Sequence, residues 1–178
     1  KFHNTGEIKD VPMLLKKLLP CWVDGGLHWM VNERIGGGYY LTVFNHSGVH
    51  FPPWQDVLHY GQASRYADWF FISDFSDLDA ERGTEDGRYY SFAFVRYMPK
   101  HNTNNPEVQQ DLIDCCKRFI AEWNVDGIRY DVGNEVAHSF LKEMRRQLKA
   151  VKPDIFLLGE IWHNSLPWMR GDEYDSVM

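Results

Sequence analysis

The sequence predicts an α/β protein built on a parallel sheet, and three observations carry that prediction. Two amphipathic stripes of helical period lie between Asn105 and Ala150. Each is followed by a short apolar run, Ile128–Val132 and then Ile155–Glu160. A further short helix and a strand start complete the order helix, strand, helix, strand, helix, strand, which is the rhythm of βαβ units. Right-handed crossovers align such strands with their C-terminal ends at one edge, where folds of this kind place their chemistry.

Taken in order, the elements have local causes. Asp10 as a cap and Pro12 at an early helical position open a first helix, whose Met13–Leu19 run stops at Pro20. Asp24-Gly25-Gly26 is a turn before a strand candidate at Leu27–Val31. Three glycines, Gly36–Gly38, then interrupt the chain before a second apolar run, Tyr39–Phe44. From Asn45 to about Asn105 no helical period is sustained, and a stretch of that length is expected to be an excursion with a small structure of its own. Its Trp54, Trp69, Phe70 and Phe71 are either a stacking platform or, as we favour, the core of that subdomain.

Regularity returns at Asn105, which caps a helix opened by Pro106. Val108, Leu112, Cys115, Cys116, Phe119, Ile120 and Trp123 form its apolar stripe. Asn124–Gly127 turns the chain into the strand Ile128–Val132. The next helix, Ser139–Ala150, points Phe140, Leu141, Met144 and Leu148 inward and Lys142, Arg145, Arg146 and Lys149 outward. Lys152-Pro153-Asp154 ends it before the strand Ile155–Glu160, and a short helix near Leu166–Arg170 precedes a last strand start at Asp175–Met178. The chain therefore divides into residues 1–44, 45–104 and 105–178.

Composition excludes several classes. A chain of 178 residues with 44% hydrophobic and 25% charged content is globular and long enough to bury a core. Lys and Arg number 19 against 25 Asp and Glu, a net charge of −6 without a basic block, so neither nucleic acid nor an anionic membrane is the expected partner. No apolar run approaches the roughly 20 residues that cross a bilayer, and no signal-peptide pattern opens the chain. Cys21, Cys115 and Cys116 lack zinc-type spacing and read as reduced thiols, which points to a cytoplasmic location. The 15% aromatic share hints at carbohydrate, because ring faces stack on the C–H faces of sugars, though most single rings serve a core.

Two carboxylates fall at the strand ends, Asp131 and Glu160. Neighbouring parallel strands lie about 4.8 Å apart, so these groups can sit ~5 Å apart, the separation of a retaining glycosidase. Arg129, two residues before Asp131 and on the same strand face, is expected to hold Asp131 ionised. Glu160 follows an apolar run and neighbours Trp162, surroundings expected to raise its pKa. Taken alone, acidic residues at strand ends also serve as caps for the next helix.

Local words decide between these readings. The segment Gly127-Ile128-Arg129-Tyr130-Asp131-Val132-Gly133-Asn134-Glu135 resembles the nucleophile strand of the alpha-amylase family of glycoside hydrolases. Leu158-Gly159-Glu160-Ile161-Trp162-His163 resembles its acid/base strand, Val43-Phe44-Asn45-His46-Ser47-Gly48 the end of its third barrel strand, and Met98-Pro99-Lys100-His101-Asn102 a further short motif. Asn134-Glu135, Met-Pro-Lys and the Glu-Ile-Trp-His ending are similar to the neopullulanase, cyclomaltodextrinase and maltogenic amylase branch. The resemblance implies a partial (β/α)8 TIM barrel with a long excursion after the third barrel strand. It implies a retaining hydrolase of α-1,4-glucosidic bonds in cyclodextrin, pullulan and starch-type oligosaccharides. By the same resemblance Asp131 is the nucleophile and Glu160 the general acid/base, Arg129 orients Asp131, and His46, Glu135, Trp162 and His163 contact substrate. No cofactor is implied, although the family allows a calcium ion at Asn45. His138 is read as structural.

The sequence departs from that pattern in two places. Leu41 stands where the family's third strand usually opens with Asp, and Leu27–Val31 looks like the start of the same strand although residues 32–40 separate it from Val43. The family's third catalytic carboxylate and its partner His lie on a seventh strand, and an eight-stranded barrel takes about 250 residues. The chain is therefore expected to be part of a larger enzyme, to be inactive alone, and to associate as a homodimer or through open barrel edges. Two other functions compete: a carbohydrate-binding or scaffold protein that keeps the fold without turnover, and a metal-assisted hydrolase using His46, His138 or His163, which lack ligand spacing.

Overall fold

The computed structural model describes residues 29–31, 38–78 and 87–178, so the expected helix at Met13–Leu19 lies outside the described residues. Strands β1 (Trp29–Val31), β2 (Gly38–Val43), β3 (Gly127–Asp131), β4 (Phe156–Gly159) and β5 (Ser176–Val177) form one sheet in that order. From β2 to β5 each pairing is parallel. β1 differs: it runs antiparallel to β2, with Trp29 opposite Tyr40 and Val31 opposite Gly38. Leu27–Val31 is thus not the start of the strand that ends at Val43. The physical reason is length, since a parallel crossover needs about a dozen residues and the link from Val31 to Gly38 is far shorter.

Helix α1 (Pro52–Tyr60) precedes α2 (Pro106–Trp123) and α3 (His138–Val151). At the start of α2 the Asn105 side chain accepts the Glu107 N–H at 2.8 Å, and Pro106 takes the first helical position. Asn124, left-handed at φ 46, ends it. Its buried face is Val108, Leu112, Ile113, Cys115, Cys116, Phe119 and Ile120, while Trp123 is only half-buried and stacks on Phe119 at 5.0 Å. Cys115 and Cys116 are buried core thiols, and burial pushes the Cys116 thiol well up.

Helix α3 buries Phe140, Leu141, Met144 and Leu148. Phe44 at the end of β2 packs against Tyr130 at 5.6 Å and Phe140 at 5.9 Å, joining sheet to helix. The outward row is less exposed than expected. Arg145 and Lys149 reach the Asp175 carboxylate at 2.7 and 2.9 Å, and both side chains are only partly exposed. Leu166–Trp168 is a single 3₁₀ turn rather than a helix, because Gly171, at φ 93, turns the chain away soon after it. No helix among the described residues is long and apolar enough to cross a membrane.

The chain separates into two compact units. One holds Leu27–Asn45 with Thr103–Met178, and therefore the sheet, α2 and α3; the other holds His46–Asn102. In the second, α1 arises where no period is visible in the sequence. Pro52 and Pro53 occupy its first positions and bury only Trp54 and Val57, too few residues to show a stripe. Trp54 packs on Phe70 at 4.8 Å and Tyr89 at 4.9 Å. Trp69 and Phe70 are buried with it, whereas Phe71 is 41% exposed and so is not part of that core.

Candidate active site

The parallel register of β3 and β4 sets Tyr130 opposite Gly159, so the next residues, Asp131 and Glu160, leave the sheet side by side at its C-terminal edge. The Glu160 N–H still donates to the Tyr130 carbonyl at 3.0 Å, carrying the pairing one step beyond the strand. Both carboxyl groups face the Arg129 guanidinium.

Arg129 serves both. One guanidinium nitrogen, Nη1, contacts Asp131 Oδ1, and Nη2 lies 3.0 Å from Glu160 Oε2. The Arg129 side chain is 12% exposed and the two carboxylates 28% and 27%, so this fork works in a partly desolvated site where charge-assisted bonds are strong. Thr42 Oγ1 donates to the Arg129 carbonyl at 3.2 Å and ties β2 to the same strand.

The electrostatics reverse the expectation. Burial acts most on Asp131 and lifts its carboxyl above the usual range; Arg129 opposes this, and the Glu160 charge adds to the rise. Burial also pushes Glu160 upward, but it is outweighed there. The Val132 N–H, 2.9 Å from Oε2, the Arg129 guanidinium and the Trp162 indole N–H together hold Glu160 below the usual carboxylate range. Trp162 acts as a donor rather than as an apolar wall.

The other candidates fall into two groups. Glu135 is half-buried on the 3₁₀ turn Gly133–Glu135 that follows β3, and Trp162 (56% exposed) and His163 (exposed) follow β4, so all three stand on the loops that carry the carboxylates. Asn45 is fully buried two residues beyond Val43, which pairs with Asp131. His46 belongs to the second unit, buried and stacked on Phe92 at 4.8 Å. His138 is held by the buried Glu173, its Nδ1 lying 2.8 and 2.9 Å from the two carboxylate oxygens. Among the described residues no group of three or more His, Cys, Asp or Glu could hold a metal ion. Residue types could not reveal Val132, because its contribution is a backbone N–H.

Residues 41–178 match the model of the alpha amylase catalytic domain. The chain belongs to the alpha-amylase family. It is 46% identical over 164 residues to the maltogenic alpha-amylase of Bacillus acidopullulyticus, covering 92% of this chain and 26% of that protein. It is 51% identical over 137 residues to the cyclomaltodextrinase of Geobacillus thermopakistaniensis, covering 77% and 23%. A solved cyclomaltodextrinase structure superposes with a TM-score of 0.70 at 44% identity, over 78% of this chain and 24% of that one. These names belong to the branch that the motifs resemble. The alpha-amylase chain thus spans about a quarter of the length of the curated relatives it matches, and its parallel sheet is part of a (β/α)8 barrel.

Proposed function

We propose that this alpha-amylase family chain carries the nucleophile and the acid/base of a retaining hydrolase of α-1,4-glucosidic bonds in cyclodextrin, pullulan and starch-type oligosaccharides. The observation that supports this best is the Asp131–Arg129–Glu160 constellation at adjacent strand ends. Asp131 attacks the anomeric carbon while Glu160 gives its proton to the leaving oxygen, forming a glycosyl ester on Asp131. Glu160 then takes a proton from water, whose oxygen displaces Asp131 from the anomeric carbon, and the sugar leaves with its configuration retained.

In this reading substrate binding reverses the resting balance of the pair, in which Asp131 is raised and Glu160 lowered. Positive charge developing on the sugar favours ionised Asp131, and a sugar that parts the carboxyls leaves Arg129 to Asp131. Glu160 reaches its acid form as its donors are loosened and water is expelled. His46 binds the sugar being cleaved, and Glu135, Trp162 and His163 border the acceptor. Cys115 and Cys116, buried and outside any disulfide, accord with a reducing, cytoplasmic setting. Homodimerisation or edge-to-edge association fits a sheet bounded by β1 and β5 among the described residues.

The low-lying Glu160 also favours a second reading, a carbohydrate-binding protein without turnover. Proton NMR of maltooligosaccharide digests separates the two. The hydrolase yields the α-anomer first and loses this on Asp131→Asn or Glu160→Gln. A β-anomer product contradicts retention, and binding without product supports the second reading.

A further inference from the structure

Tyr174 is a buried phenol that the mechanism above does not use. Its ring, 1% exposed, lies over two positions without side chains. A Cβ at Gly159 would come within 2.4 Å of its Cε2, and one at Gly133 within 2.5 Å of its hydroxyl oxygen. Gly159 immediately precedes Glu160, and Gly133 follows Asp131 by two residues. At Gly159 the phenol ring alone excludes a larger residue; at Gly133 the phenol comes first, with the Glu160 carbonyl oxygen next at 3.3 Å. The Tyr174 hydroxyl donates to the Gly133 carbonyl at 3.3 Å, and burial pushes its pKa up, so it stays a donor.

Between Asp131 and Gly133 stands Val132, at φ 49 and ψ 43. Left-handed backbone crowds the Cβ of any L-residue, and a β-branched side chain keeps it only where its surroundings leave no alternative. Val132 is itself buried, and its carbonyl accepts the Glu135 N–H at 2.9 Å. This turn is what aims the Val132 N–H at Glu160 Oε2, 2.9 Å away. The phenol is well anchored, because its neighbours are tied to α3: Glu173 to His138, and Asp175 to Arg145 and Lys149.

We propose that Tyr174 is a positioning residue for the Asp131–Glu160 pair: seated on Gly133 and Gly159, it keeps the Val132 turn left-handed and the Val132 N–H on Glu160. Its effect on rate rests on the retaining-hydrolase reading; the clamp itself does not. The test uses the full-length protein with Tyr174→Phe, which keeps the ring and removes the hydroxyl, with Gly133→Ala, and with both. Hydrogen-exchange mass spectrometry follows the peptide spanning residues 131–136, while kinetics give kcat, KM and the pH profile of kcat/KM.

Tyr174→Phe is expected to speed exchange at Val132 about tenfold and lower kcat about tenfold with KM within about twofold. The alkaline limb should move to higher pH, because Glu160 loses a donor that favours its charged form. Gly133→Ala should produce the same changes by pressing a methyl against the hydroxyl, and the double variant should lose less than the sum of the two single changes, since the nearest colliding atom is gone while the ring Cζ at 3.1 Å and the Glu160 carbonyl oxygen at 3.3 Å remain. Unchanged exchange overturns the clamp. Faster exchange with kcat and the alkaline limb unmoved also overturns the proposal, leaving Tyr174 a packing residue. If the unmodified protein cleaves no α-glucan, the functional reading fails instead, and exchange at Val132 still decides the clamp.

Discussion

One guanidinium, that of Arg129, answers two carboxylates, and this makes its geometry as important as its charge. Lysine keeps the charge but cannot fork. Arg129→Lys is expected to lower kcat/KM roughly a hundredfold, or about 2.7 kcal/mol of transition-state stabilisation. Both limbs of the pH profile should move up, because a weaker cation lets Asp131 and Glu160 each hold a proton to higher pH. Trp162→Phe makes a narrower change. It removes the indole N–H from Glu160 and keeps the ring, so only the alkaline limb should rise in a kcat/KM profile. The pairing of Arg129 with Asp131 was legible in the sequence, since residues two apart on a strand share a face. The proton balance was not. Residue types show which charges are present, but the N–H groups of Val132 and Trp162 become donors to Glu160 only once the loops are folded.

Between elements, the connection with most consequence runs from α3 to the segment leading into β5. Asp175 accepts from Arg145, from Lys149 and from the Leu157 N–H at 2.9 Å, which binds helix, strand and loop at one carboxylate. Burial works against its charge, yet these donors hold Asp175 below the usual carboxylate range. A lowered folded-state pKa contributes stability that is present above the unfolded value of about 3.9 and lost as pH falls through the folded one. Asp175→Asn should therefore cost about 2 kcal/mol in urea unfolding at pH 7, with the gap to the unmodified protein shrinking as pH falls towards 2. Helices α2 and α3 were legible because each has a full apolar stripe and a clear stop. Helix α1 was not, because two prolines and two buried residues make no period. β1 was misread for a related reason: an apolar run has no direction until the length of its connection is weighed.

The sheet as a whole sets the distance across which chemistry can occur. Because β3 and β4 are parallel and in register, their ends deliver one carboxylate each to the same edge, and family membership makes that edge part of a barrel. The central claim is that Asp131 attacks the sugar, and trapping the glycosyl enzyme tests it most directly. Full-length protein carrying Glu160→Gln is incubated with a fluorinated α-glucosyl fluoride, whose fluoride leaves without acid assistance while the ester turns over slowly. Peptide mapping by mass spectrometry then locates the added sugar. The expected result is one glucosyl unit on Asp131, absent in Asp131→Asn; an adduct on Glu135 or any other side chain would contradict it.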